Sequence, residues 1–417
     1  MLNPNEITDG ITNGIEARQQ RGLAIAARCK VKRVRADEWA VPSLATGHSY
    51  VVKVGENFSC TCPDHELRKC RCKHVYAVQY VIEREENADG TTTVTETLTA
   101  TKRTTYAQNW PAYNKAQQNE KAEFQSLLFD LCKDIETPFQ AMGRKRLPLA
   151  DAVFSATFKI YSTFSGRRFT TDLSEAQEKG YISRTPHFNS IFNYLENPAL
   201  TPILTKLIER ASLPLKAVES DFAVDSTGFM SSRFVRWYDH KYGVVKEEHD
   251  WVKAHVMCGV KTNVITAVEI HDRNTTDSPI LPSLVDATAK NFTLREVSAD
   301  KGYLAASNMA AIEKHGATPF IAFKSNSKPS ANGSLWEKMY HFFSFKRDEY
   351  LNHYHKRSNI ESTMNMVKSK FGDAVRSKTD VAMKNEVLAK ILCHNICCLI
   401  QAMYELGIEP EFIGSAA

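Results

Sequence analysis

Four cysteines and a histidine packed into fifteen residues constrain this chain more than any other feature. Cys60, Cys62, Cys70, Cys72 and His74 lie in the run FSCTCPDHELRKCRCKHVYAV. A segment so dense in soft donors either cross-links itself or holds a metal ion. The first ten residues are polar and partly acidic, without the apolar core of a secretory signal, so the expected compartment is the cytoplasm. Thiols stay reduced there, and metal binding is the expectation. The pairs Cys60-x-Cys62 and Cys72-x-His74 offer three thiolates and one imidazole, the donor set of a tetrahedral zinc site. Cys70 competes for the third thiolate position; Cys72 is preferred because Cys72-x-His74 mirrors the first pair. The first pair falls at a strand end or turn and the second opens a helix, which predicts a small ββα unit around one structural zinc ion. With so little core, the metal would carry much of the unit's folding energy.

The other six cysteines (Cys29, Cys132, Cys258, Cys393, Cys397 and Cys398) sit in apolar surroundings and read as small core residues. At 417 residues, 43% hydrophobic and 24% charged, the chain has room for two or three soluble domains. No apolar run long enough to span a bilayer is expected. The most apolar stretch, 391–404, is interrupted by His394, Asn395 and Gln401 and reads as a buried helix. A net charge of +5 says little about partners. Local charge says more: Arg18, Arg21, Arg28, Lys30, Lys32, Arg33 and Arg35 precede the cysteine cluster, and Lys69, Arg71 and Lys73 interleave it. Such stretches suit a phosphate backbone, although a solvated face reads the same way.

Four segments are expected. Residues 12–85 form the zinc-binding module, with strands at 39–41 and 49–54, turns at Gly47 and Gly55, and a helix from His74 to Glu85. Residues 86–112, rich in Thr, Asn, Asp and Gly, read as a linker. Residues 113–216 are mostly helical, with basic loops at Arg144–Arg146 and Arg167–Arg168; they read either as a DNA-reading helical bundle or as packing helices. Residues 217–406 change period. A strand at 222–228 and a hairpin at 253–260 and 264–271 lead into alternating strands and helices, the last helices spanning 350–371 and 383–406. This is an α/β pattern with a mixed sheet.

Within that last segment, Asp225 interrupts a strand pattern in VDSTGF and Asp300 ends another in ADKGY. A charge there is unfavourable unless it is used or compensated. Glu361 lies on a helix in YHKRSNIESTMNMVKSKFG. Two strand aspartates and a helix glutamate are hard oxygen donors suited to Mg²⁺. Tyr354, Arg357, Glu361 and Lys368 are spaced by three, four and seven residues, which keeps all four on one helical face. Glu361 can then hold a metal while Arg357 and Lys368 grip phosphates. A solvated stripe would account for Lys368 alone, not for the whole set above the apolar residues Ile360, Met364, Val367 and Phe371.

Residues from about 218 to 404 resemble the catalytic core of insertion-sequence DDE transposases of the group with a Tyr-Arg-Glu-Lys signature. VDSTGF, ADKGY and the helix through Glu361 carry the resemblance, and KNEVLAKILCHNICCLI adds to it. The cysteine run resembles the SWIM zinc finger, whose modules are associated with DNA or protein binding. The resemblance implies a ribonuclease H-like core. It implies two Mg²⁺ ions (or Mn²⁺) held by Asp225, Asp300 and Glu361, and phosphate contacts from Tyr354, Arg357, Lys368 and Lys301. It also implies double-stranded transposon-end and target DNA as substrates, a homodimer on DNA, and no membrane partner. The expected reaction is hydrolysis freeing a 3′-OH that then attacks target DNA, without a protein-DNA covalent intermediate. Sixty residues separate Asp300 from Glu361, too few for the β-insertion that some relatives use to manage a DNA hairpin. A domesticated DNA-binding protein without catalysis, a related nuclease and a SWIM-type adaptor are the alternatives; the intact acids count against the first and last.

Overall fold

The computed structural model describes residues 18–412 apart from 23, 27–28, 44–48, 56–57, 87–91, 97–108, 144, 232–250 and 330–332, and only the backbone of 83–86 and 92–96. Arg28, Arg144, Gly47 and most of the expected linker lie outside the described residues. The chain divides into two compact units, Met1–Ala107 and Gln108–Ala417.

In the first unit, β1 (Lys32–Arg33), β2 (Glu38–Pro42), β3 (Ser49–Lys53) and β4 (Ser59–Cys60) form an antiparallel sheet in that order. Alternation along β2 sends Trp39 and Val41 inward. They meet Val52 of β3 and Val75, Ala77 and Val78 of the second helix below, together with Cys60, Cys62 and Cys72. Two helices follow the sheet, α1 (Pro63–Arg68) and α2 (Lys73–Val81). The helix expected to reach Glu85 stops at Val81. Ile82 is extended and opens β5 (Ile82–Glu86), which pairs antiparallel with β6 (Thr92–Glu96). The β-branched Val81-Ile82 step and the threonine-rich return strand favour sheet over helix, so a hairpin occupies part of the stretch read as linker.

The second unit begins with five helices: α3 (Trp110–Cys132), α4 (Leu149–Ser162), α5 (Thr170–Glu178), α6 (Phe188–Leu195) and α7 (Leu200–Ser212). The central strands follow: β7 (Asp221–Ser231), β8 (Trp251–Gly259) and β9 (Ile265–Asp272). Then come α8 (Leu281–Ala289), β10 (Glu296–Ala299), α9 (Ala306–Glu313), β11 (Thr318–Ile321), α10 (Leu335–Phe345), α11 (Arg347–Tyr354), α12 (Ser358–Phe371), β12 (Ala374–Val375) and α13 (Asp380–Leu406). The sheet order is β11-β10-β7-β8-β9, with β12 also pairing with β7. β7, β8 and β9 are antiparallel, whereas β10 and β12 run parallel to β7, and β11 parallel to β10. This mixed sheet is consistent with the expected ribonuclease H-like core. Between Asp300 and Glu361 the described residues hold β11 and no other strand.

Strand alternation divides the core in two. Ala223, Ala254, Val256 and Cys258 face one way, onto a cluster that includes α3, α4, α7, α12 and α13. Phe222, Val224 and Met257 face the other way, onto α8, α9 and α10. The helices of 113–216 therefore share the central sheet's core and pack as one layer of it. Gly228 of VDSTGF is dictated by packing: a Cβ there would lie 2.3 Å from Trp251 Cε3. α13 is the hub. It starts well before the apolar stretch expected at 391–404, and by length and composition it is apolar enough to cross a membrane, but 78% of its most apolar window is buried within the protein. The expectation of no such run is corrected, while the buried-helix reading stands.

The apolar hub carries polar ties at its centre. Asn395, fully buried, accepts from Ile265 N–H at 2.8 Å and donates to Ile265 C=O at 2.7 Å and Ile208 C=O at 3.2 Å. It thus satisfies the outer backbone groups of edge strand β9 and fastens α7 and α13 to it. His394 Nε2 bonds the carbonyl of Asn263, a left-handed residue (φ 62°) in the β8–β9 turn. Asn395→Leu keeps the branched shape but removes the side-chain partners of the Ile265 N–H and C=O. It is expected to cost on the order of 3 kcal/mol, read as a lower midpoint in urea unfolding; an unchanged midpoint would refute this account of how the sheet edge is held.

Candidate functional site

In the first unit, Cys60 ends β4, Cys62 caps α1, Cys72 caps α2 and His74 lies in the first turn of α2. One donor atom from each of the four lies within 4.8 Å of all the others, and all four side chains are buried. Among the described residues no other group of three or more His, Cys, Asp or Glu side chains is drawn together so tightly. His74 Nδ1 stands 3.8 Å from Cys60 Sγ and 3.9 Å from Cys72 Sγ. A tetrahedral ion bound to one sulfur and one nitrogen would separate them by about 3.6 Å, so the donors fit a zinc ion with little movement. The electrostatics agree. Cys72 is held well below the ordinary thiol range, first by its hydrogen bond with the Cys60 thiol and then by His74. The same bond, with burial, pushes Cys60 up. Cys70 is left out: it is half-buried, and its carbonyl bonds His65 Nδ1 at 2.8 Å.

In the second unit, Asp225 lies mid-way along β7 and Asp300 follows the last residue of β10. The parallel register pairs Val224 with Ala299, so the two aspartates stand side by side on adjacent strands. Glu361 comes from the first turn of α12 and is 60% exposed. Arg357 joins these segments: its Nη1 lies 3.4 Å from Asp225 Oδ2 and its Nη2 2.8 Å from Glu361 Oε1. The Tyr354 hydroxyl donates to Asp300 Oδ1 at 3.4 Å, and Lys368 Nζ donates to Thr227 Oγ1 at 2.6 Å. Lys301 is exposed directly after Asp300. An open cleft of about 290 Å³ is lined by Asp225, Thr227, Glu361 and Lys368. The continuous helix expected over 350–371 is broken by a three-ten turn at His355–Arg357, and the tighter turn carries Arg357 over β7. Tyr354, Arg357, Glu361 and Lys368 still face the aspartates, although from two helices and a turn.

Residues 216–396 match the family model of the transposase DDE domain. The match supports a DDE transposase, and a transposase domain implies DNA as its partner. No curated protein matches the chain.

The second unit has features that its motifs do not announce. Burial, above all, holds the Asp225 carboxyl above its ordinary range; Asp300 and Asp277 push the same way, while the Ser226 N–H and Arg357 pull it down. Burial also opposes the charge on Arg357, but Tyr354, Glu361, Asp225 and Asp300 outweigh it. On the opposite face of the sheet, His255 is fully buried across from Ser226, and neither ring nitrogen has a hydrogen-bond partner. Burial lowers its pKa to about 4. Asp277 stands 3.6 Å from His255 Nδ1 and is paired with Lys253 at 2.5 Å. Lys356, beside Arg357 in the sequence, binds the first residues of β7 and β10. The partnerships of Asp225 with Arg357, of His255 with Asp277 and of Lys356 with both strands join residues distant in the chain, which sequence pattern does not reveal. Trp336 lies in an aromatic cluster, edge-on to Phe323 at 5.0 Å, with its indole N–H bonded to the Lys328 carbonyl.

A raised carboxyl pKa in the folded state means that the folded protein binds the proton more tightly than the unfolded chain. Stability is therefore lost as pH rises from the ordinary carboxyl value through the raised one. Asp225→Asn removes that penalty. It should melt at a higher temperature than the parent at pH 7 in chelator, with the difference closing below about pH 4. Equal melting temperatures at neutral pH would show that Arg357 already compensates Asp225 in full.

Proposed function

We propose that the chain is a transposase that cuts transposon ends and joins them to target DNA at a centre formed by Asp225, Asp300 and Glu361. The observation that carries this reading is the pairing of β7 with β10, which sets two aspartates side by side beneath the helix bearing Glu361, within a segment matching a transposase DDE domain. Three carboxylates are the hard oxygen donors that Mg²⁺ or Mn²⁺ prefers. Asp225, Asp300 and Glu361 would hold the metal ions. A pair of such ions supplies water activation and leaving-group stabilisation in an in-line phosphoryl displacement.

The chain's own residues do the rest. Arg357, here shared between Asp225 and Glu361, would turn to a DNA phosphate flanking the scissile bond, its planar fork suiting that oxygen geometry. Lys368, Lys301 and Tyr354 would line the same phosphate track. The freed 3′-OH would attack target DNA in the same centre, so no Ser or Tyr nucleophile is required. Two transposon ends must be held together, which calls for a homodimer on double-stranded DNA. In the first unit, Cys60, Cys62, Cys72 and His74 would hold one structural zinc ion in a SWIM-like finger.

The DNA flanking the coding region supplies the substrate for the test. Asp225→Asn and Glu361→Gln should each lower Mg²⁺-dependent cleavage of an end by about 10³-fold, roughly 4 kcal/mol of transition-state stabilisation, with gel-shift affinity for the end unchanged. A variant that nicks at the parental rate removes that residue from the centre. Cys72→Ser should purify without zinc and with the first unit unfolded, whereas Cys70→Ser keeps about one zinc per chain. Metal analysis and circular dichroism read both, and zinc loss in Cys70→Ser would reverse the ligand assignment.

A further inference from the structure

Behind the candidate centre lies a second pair of carboxylates in the same register. Asp221 opens β7 and Glu296 opens β10, and the two are paired across the strands. Asp225 and Asp300 stand four residues further along each strand, about 13 Å away and on the same face of the sheet. Lys356 reaches back to this rear pair: its ammonium donates to Asp221 Oδ2 at 2.8 Å and to Glu296 Oε2 at 2.6 Å. Its neighbour Arg357 reaches forward to Asp225. Two consecutive residues of one three-ten turn thus run in opposite directions along β7. The rear carboxylates are 13% and 14% exposed, so these ion pairs are screened far less than surface ones.

We propose that Lys356 is a positioning residue: it fixes the turn leading into α12 against both aspartate-bearing strands and so sets the spacing between Glu361 and the pair Asp225–Asp300. The inference rests on the proposed role of that centre. The network is arranged to make this tie separable from the fold. Without Lys356, Asp221 keeps Arg295, whose Nε and Nη2 lie 2.7 and 2.6 Å from its oxygens, and Glu296 keeps His353 at 2.9 Å. Neither carboxylate is left unpaired. What disappears is the turn's own tie to the rear of both strands, leaving it held at the front by the longer contacts of Arg357 with Asp225 and Tyr354 with Asp300, each 3.4 Å. Glu361 follows five residues later on an exposed helix face and has Arg357 as its ion-pair partner, so slack in the turn passes directly to it.

The test uses the full chain and two readouts, Mn²⁺ binding to DNA-free protein by electron paramagnetic resonance and Mg²⁺-dependent cleavage of an end. Lys356→Met retains the aliphatic stem and removes the charge. It should weaken Mn²⁺ binding about tenfold and lower cleavage per folded molecule about 10²-fold, the usual cost of an ångström-scale misplacement, with end binding unchanged. Lys356→Arg should recover most of both. Glu296→Gln loosens the same tie from the strand side and should weaken Mn²⁺ binding in smaller measure. If Lys356→Met melts lower yet binds Mn²⁺ and cleaves like the parent, the residue is structural only and the proposal is overturned. Unchanged Mn²⁺ affinity in Glu296→Gln overturns it even where Lys356→Met does not fold. A parent protein that shows neither cleavage nor Mn²⁺ binding sensitive to Asp225→Asn sinks the reading of the centre itself, and this inference with it.

Discussion

Two carboxylates held side by side on adjacent strands repel one another, and the second unit is built around keeping them there. The parallel pairing of β7 with β10 is what brings Asp225 beside Asp300. Left alone, the pair would favour a slip in register or a proton taken up from solvent. Cations from a single short segment oppose both outcomes. Arg357 stands between Asp225 and Glu361, and Lys356 fastens the opposite ends of the same strands. The break between α11 and α12 serves this arrangement. The tighter three-ten turn lets adjacent side chains diverge along the strand, as Lys356 and Arg357 do.

The sequence pointed to candidate site residues more readily than to the scaffolding. Asp225 and Asp300, which the fold sets side by side, stood out because a charge inside or ending a strand pattern needs a reason, and the four donors Cys60, Cys62, Cys72 and His74, which the fold draws together, because of their density. Strands β7, β8 and β9 emerged from period-two patterning within a few residues of their observed ends, whereas the two-residue β12 did not. Three things were not legible, each because a distant partner decides it. The helix from His74 ends at Val81, where a strand 92–96 competes for the chain. The stretch 113–216 reads either as a DNA-reading bundle or as packing helices, and what it packs on is α13, more than 160 residues further along the chain. Lys356 looked like an ordinary solvated lysine in a basic motif, since Asp221 lies 135 residues before it and Glu296 60 residues before it.

The two units reach stability by different routes. The first has a core of few apolar side chains, three of its buried members being the cysteines themselves. Shared-proton bonding between Cys60 and Cys72 is a poor substitute for four metal–ligand bonds, which is why its fold should stand or fall with the ion. The second has apolar area in plenty and uses buried polar groups for specificity. Asn395 and His394 fix α13 at a single height against β9 and the turn before it. A purely apolar helix could slide by a turn at little cost.

That rigidity explains how the domain tolerates a costly interior near its aspartates. Burial raises the Asp225 carboxyl above its ordinary range, and on the far side of β7 and β8 His255 and the Tyr303 hydroxyl are buried without hydrogen-bond partners. Each such group opposes folding by about 1–3 kcal/mol. Chains rarely retain several of them close together unless the arrangement is used. Here they lie on or beside the central strands β7, β8 and β10, whereas Asn395, His394 and Glu386 on α13 each have hydrogen-bond partners. Unpartnered buried groups beside the interior strands and well-bonded polar groups along the central helix fit a domain whose two neighbouring aspartates are kept at a fixed spacing by the surrounding fold.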